Sequence, residues 1–274
     1  MVIVYGGNSL DTPALTTITG ATQLAAWSPG SVTYAPLLAS LAGPAGSLSA
    51  KLRVVDGATL EVGTSVPLTT VTDAEVWMVD GDLVTGTLAT SDSTVVRGAG
   101  TITGNLETAG TTQVGGSAGT MSVTGDFTQA STSALVMEIG GYAPGTENDL
   151  LQIGGLAAFD GRFELEVVAP FVPVTSDQFA LIIYVGHTGT FAEYTGMSLS
   201  GGTSFDPLFQ ASQFVLDVVS SAGDIEVTDS GGPFAATVGN TVTVTWEVTN
   251  HGADLSSAWN DQVYLSADDQ WDAG

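Results

Sequence analysis

Val55-Asp56-Gly57 returns as Val79-Asp80-Gly81-Asp82-Leu83, then as Ile102-Thr103-Gly104-Asn105-Leu106, then as Val123-Thr124-Gly125-Asp126-Phe127. Each copy places an apolar residue before a polar one and a glycine, and successive copies start 24, 23 and 21 residues apart. A second series, Leu15-Thr16-Thr17-Ile18, Leu38-Ala39-Ser40-Leu41 and Leu68-Thr69-Thr70-Val71, is spaced by 23 and 30 residues. Periods of this size mark stacked structural units rather than one closed globule. Around the copies, Thr101-Ile102-Thr103 and Met121-Ser122-Val123-Thr124 alternate polar and apolar residues, which puts the two kinds on opposite faces of a strand. The fold class expected is all-β: a right-handed parallel β-helix, or solenoid, over residues 1–140, each course laying its apolar side chains on those of the course below.

Outward from the repeats the pattern changes. Longer apolar strands are expected at 134–139, 150–153, 162–168 and 178–185, separated by turns such as Tyr142-Ala143-Pro144-Gly145. A stack of parallel courses ends in unpaired backbone, so residues 141–223 are expected to cap it, with Phe159, Phe163, Phe171, Phe179 and Phe191 as cover. From residue 224 a new register begins. Val242, Val244, Trp246 and Val248 alternate with polar residues and predict one buried face of an antiparallel strand, the opening of a partial immunoglobulin-like β-sandwich over 224–274 that continues beyond Gly274.

Composition agrees with strands and turns. Only 12% of residues are charged, and 35 glycines accompany abundant Val, Thr and Ser. Four Lys plus Arg stand against 29 Asp plus Glu, a formal net charge of −25. Such a chain repels phosphate backbones and anionic bilayers, so nucleic acid is excluded as a partner. It attracts cations instead, and calcium would suit it. With no cysteine there is neither a disulfide framework nor a thiolate metal site. No run is long enough to span a bilayer and the first residues do not read as a signal peptide, so the chain is expected to be part of a longer polypeptide with flanking domains.

Two resemblances attach to these segments. Gly-Thr-Met-Ser-Val-Thr-Gly-Asp-Phe-Thr-Gln at 119–129, Ala-Leu-Val-Met-Glu-Ile-Gly-Gly at 134–141, Asn-Asp-Leu-Leu-Gln-Ile-Gly-Gly at 148–155 and Asp-Gln-Phe-Ala-Leu-Ile-Ile-Tyr at 177–184 resemble the end of the β-solenoid stalk in large repetitive bacterial surface and autotransporter-like, adhesin-like proteins. The stretch Thr237 to Asn250, followed by Trp259-Asn260-Asp261-Gln262-Val263-Tyr264-Leu265-Ser266, resembles the cell-adhesion-related domain of bacteria (CARDB), an immunoglobulin-like module. The resemblances imply a secreted or cell-surface location and a non-enzymatic spacer or adhesive role, in contact with extracellular glycans or a neighbouring cell. They supply no catalytic residues.

The residues themselves leave a rival open. β-Helices also host polysaccharide lyases and glycoside hydrolases, whose acids sit on neighbouring courses, and carbohydrate-binding modules. Asp56, Asp80, Asp82 and Asp126 fall at repeated positions and would form a ladder, although Asp-Gly is equally good turn sequence. Trp77, Asp80 and Asp82 are the expected glycan contacts, with Trp27 and Tyr34 as further aromatics to converge on them. A lyase would also need a base, and the cations are Lys51, Arg53, Arg97 and Arg162. Lys51 and Arg53 share a strand face, with Arg97 two courses on, and relief of acidic crowding is their plainer role. His187 and His251 read as turn residues without a nucleophile elbow. Asp268, Asp269 and Asp272 form an oxygen-rich cluster suited to calcium, without EF-hand spacing.

Overall fold

The computed structural model describes residues 2–200, 202–220, 225–232, 237 and 239–250. The described residues are all-β, with no helix among them, and the chain divides into two compact units, Met1–Val218 and Val219–Gly274. The first unit is one large, mostly parallel sheet of 23 strands.

Its pairing follows three parallel ladders. The first joins Val2–Val4, Gln23–Trp27, Ala50–Val55, the start of Ala74–Thr90, the start of Val95–Thr108, Thr111–Val114, Ala134–Ile139, Arg162–Val167 and Glu193–Thr195. The second joins Ser9–Asp11, Val32–Ala35, Thr59–Val62, the middle of the two long strands, Thr120–Val123, Leu150–Ile153 and Gln178–Ile183. The third joins Thr17–Thr19, Ser40–Ala42, Leu68–Thr72, the ends of the long strands, Phe127–Gln129, Leu156–Phe159 and Gly186–Gly189. One pass through all three ladders makes a course, and parallel pairing carries on well past residue 140.

Both repeat series appear in the register, one of them in part. Ile18 pairs with Leu41 and Leu41 with Val71, and all three are buried. Val55 pairs with Val79 and Ile102 with Val123. Val79 does not pair with Ile102; its partner is Ala99, while Ile102 lies against Leu83. Asp80-Gly81 turns the corner between the first and second ladders, whereas Thr103-Gly104 turns the next corner, so the echo matches two different bends. Each of these two bends is turned by a residue at positive φ: Asp56 and Asp80 have φ of 56° and 53° at the first corner, and Gly104 has 136° at the other.

Alternation along each ladder sends every second side chain inward. Leu24, Leu52, Val76, Val96, Leu60, Leu83, Ile102 and Met121 join the same apolar core. At its C-terminal end the core becomes aromatic. Phe159, Phe163 and Phe191 pack with Phe209 and Phe214 at centroid separations of 4.8–5.7 Å, and Phe179 packs with Phe171 and Phe205. Here Gln213–Ser220 adds antiparallel to Gln178–Ile183, breaking the parallel rule where no further parallel strand joins that edge.

In the second unit Ile225–Gly231 pairs antiparallel with Thr245–Asn250. The strand begins at Thr245 rather than near 241, and Val242, Val244 and Trp246 are 40–42% exposed instead of forming a buried face. The two strands among the described residues of this unit cannot by themselves bury a face.

Because Leu41 is wholly buried between Ile18 and Val71, Leu41→Ala is expected to lower the unfolding free energy by about 2–5 kcal/mol in urea titration. Thr70→Ala, on the exposed side of the neighbouring strand, should stay within about 0.5 kcal/mol of wild type.

Candidate functional site

All four cations of the chain fall on the first ladder, and three of them meet. Lys51 pairs in register with Glu75, Arg53 with Trp77, and Trp77 with Arg97, so three consecutive courses place these side chains side by side on the outer face. Alternation explains the choice: Ala74, Val76 and Met78 point into the core, and Glu75 and Trp77 point away from it. Glu75 is nonetheless only 4% exposed, because its neighbours close over it. Lys51 Nζ donates to Glu75 Oε2 at 2.5 Å, and Arg97 Nε donates to Glu75 Oε1 at 2.5 Å. Burial alone would raise the Glu75 carboxyl; the Lys51 and Arg97 donors more than offset it and hold the group below the ordinary carboxylate value.

Trp77 is sandwiched. The Arg53 guanidinium carbon lies 3.8 Å from its ring centroid and that of Arg97 4.5 Å, one from the course before and one from the course after. Arg53 also reaches to 5.1 Å from the Trp27 ring, and Tyr5 packs edge-on against Trp27 at 5.7 Å. Each such contact is worth about 0.5–2 kcal/mol. Cations and rings therefore alternate as Trp27, Arg53, Trp77, Arg97, with Trp77 presenting its edge and not its face to solvent. The fourth cation, Arg162, is farther along the ladder and pairs with Glu164 on its own strand.

Beside this stack runs a groove of about 690 Å³ at the corner between the first two ladders. One side is Trp77, Val79 and Asp80, the floor is the stretch 97–101, and the other side is the loop 116–120 with Gly145. Glycine in the floor is required by the adjoining strand: at Gly98 and Gly100, φ is 109° and 145°, and an added Cβ would lie 1.9 Å from the Met78 carbonyl oxygen and 2.5 Å from that of Gly81. The loop is pinned from within by Asp149, which is fully buried; its Oδ1 accepts from the Gly119 amide at 3.0 Å and its Oδ2 from the Glu138 amide at 2.8 Å. Burial pushes the Asp149 carboxyl up to about 7, against the pull of the two amides, with Glu138 adding to the rise.

The residues expected to act together are partly dispersed. Trp77 and Asp80 line the groove, whereas Asp82 stands exposed on the second ladder between Thr59 and Thr101. Trp27 joins Trp77 through Arg53; Tyr34 is on the second ladder, between Asp11 and Glu61. The aspartate series does not form one ladder. Asp56 and Asp80 share the first corner, while Asp126 lies on the second, under Asn105, where its Oδ1 accepts from the Leu156 amide and its own amide donates to Asn105 Oδ1. His187 is on the strand Gly186–Gly189, its ring 4.9 Å from Phe209 and 5.1 Å from Tyr184, a member of the aromatic end of the core. Among the described residues no group of three or more His, Asp or Glu could hold a metal ion, and no helix is long and apolar enough to cross a membrane. Asp268, Asp269, Asp272 and His251 lie outside the described residues. Sequence reading missed Glu75 and Asp149. The signal for Glu75 was available in its spacing, 24 residues after Lys51 and 22 before Arg97.

Glu75→Gln is expected to destabilise the chain by about 1–3 kcal/mol and to remove the part of wild-type stability that is lost as pH falls below the ordinary carboxylate value of 4.5 through the lowered value of Glu75. Asp149 has the opposite sign. Its folded-state value is above the unfolded one, so its stabilising protonated form is complete below about pH 4 and lost as pH rises through about 7. Chemical denaturation at steps from pH 4 to 8 should show a fall in wild type that Asp149→Asn flattens, even though that variant also loses one amide contact.

The chain matches no protein-family model and no curated protein, so what this face does must follow from its own chemistry.

Proposed function

We propose that residues 2–218 form a right-handed parallel β-helix acting as a rigid, non-enzymatic spacer in an extracellular or cell-surface protein. In this reading residues 224–274 open an immunoglobulin-like module similar to CARDB domains, and the outer face makes contact with glycans or neighbouring cells. The observation that supports it most is the continuity of the three parallel ladders around one apolar core: three strands per pass, repeated without a break in core packing, are what a β-helix requires. Stiffness follows, since each course is held to the next by backbone hydrogen bonds on every side. The antiparallel pair at 225–231 and 245–250 supports the start of a sandwich. Few cations, most of them committed to holding Glu75 and Trp77, leave the acidic coat hydrated and the chain soluble.

The polysaccharide-cleaving alternative would need two carboxyl groups facing one bond across about 5–10 Å; of the aspartates in question only Asp56 and Asp80 share a corner, while Asp82 and Asp126 stand on another ladder and another corner. Incubation of the full chain with a panel of neutral and acidic polysaccharides should release no new chain ends, while beads coated with it should be held by glycan surfaces under flow. Product release abolished by Asp80→Asn or Asp82→Asn would overturn the spacer reading in favour of an enzyme. Calcium at Asp268, Asp269 and Asp272 belongs to the same proposal; titration should raise the melting temperature, and an unchanged melting temperature would remove calcium from it.

A further inference from the structure

The groove beside Trp77 and Arg97 has the chemistry of a ligand site, and we infer that it binds a saccharide unit bearing a single carboxylate. This deepens the reading of the outer face as a glycan contact and rests on it. Arg97 carries the argument. Its Nε is spent on Glu75 and its plane on Trp77, which fixes the guanidinium in place, and its Nη groups make no hydrogen bond among the described residues while the residue lines the groove. A guanidinium held rigidly by its own ion pair loses little entropy on accepting a second carboxylate, and two parallel N–H donors match that group's geometry.

The remaining lining suits hydroxyl groups. Thr101, Ser117, Thr120 and Ser122 supply donors and acceptors, Asp80 supplies an acceptor on the opposite wall, and the glycine floor lets a ring approach backbone. The cavity is large enough for one or two sugar rings. Arg97 on the floor and Asp80 on one wall suit a polyol with one acid group. Net charge selects further: at −25 the chain repels a long polyanion from every side, so one isolated or terminal acid is favoured over a continuous acidic polymer. Both faces of Trp77 are covered, so recognition depends on hydrogen bonds and charge rather than on stacking. The wall is preformed, because Asp149 holds Gly119 from behind.

Gly116 provides a clean probe. It lines the groove, its φ is not left-handed, and an added Cβ would meet nothing within 4 Å, so the fold accepts a large side chain there and Gly116→Trp is expected to crowd the site. The full chain would be titrated, with amide resonances followed by NMR, using a trisaccharide ending in one glucuronate, its neutral counterpart ending in glucose, and a glutamate-rich peptide. The expected result is saturable shifts in residues 98–101 and 117–122 with the glucuronate, at least about ten-fold tighter than with the other two. Gly116→Trp should abolish the shifts, and Arg97→Gln should reduce the glucuronate to the level of the neutral sugar. Absence of shifts, equal affinity for the neutral sugar or the peptide, or binding that survives in Gly116→Trp would overturn the assignment. Amide-exchange protection along the ladders, measured on the same unliganded samples, tests the spacer architecture separately.

Discussion

Parallel strand pairing is the constraint on which the rest of this molecule depends. A strand cannot pair in parallel with its immediate neighbour through a tight turn, so each must reach for a partner a full pass of the chain away. Once Gln23–Trp27 lies on Ala50–Val55 and that strand on Ala74–Thr90, every inward residue is committed to the same layer as its counterparts above and below. A slip of one residue would turn Leu52 and Val54 outward and Lys51 and Arg53 into the core. The core and the outer face are thus two readings of one register.

That register also decides where charge sits. Glu75 is a carboxylate in a nearly buried position, an arrangement tolerable only because Lys51 and Arg97 stand on the adjoining courses. In a chain so short of cations, three placed within one small area cannot be understood as solubility. They neutralise one acid, clasp one ring and leave one guanidinium edge beside a groove floored in part by glycine.

The sequence disclosed the ladders best where side-chain patterns coincide with stacking. Ile18, Leu41 and Val71 sit at equal positions of their strands and pair as their echo predicts. The Val79 to Ile102 echo misleads because two different corners ask for the same thing, a residue or glycine able to take up an unusual backbone angle, and so look alike in letters. The grouping of Trp77, Asp80 and Asp82 was half legible for a related reason. Trp77 and Asp80 lie close enough along the chain to share a corner, but Asp82 is already past the bend and on another ladder. Asp149 was not legible at all, since its partners, the amides of Gly119 and Glu138, belong to the backbone and leave no mark on composition.

The ion-paired trio has a bearing on how such a chain can change length over generations. An architecture of repeated passes grows and shrinks by duplication or loss of whole units, and most units here would tolerate it, their contacts being generic. The units carrying Lys51, Glu75 and Arg97 would not. A duplicate inserted between any two of them would separate a buried acid from its counter-ion, and deletion of one would strand the others. Three adjacent units are therefore expected to persist as a block, with variation in length on either side of them.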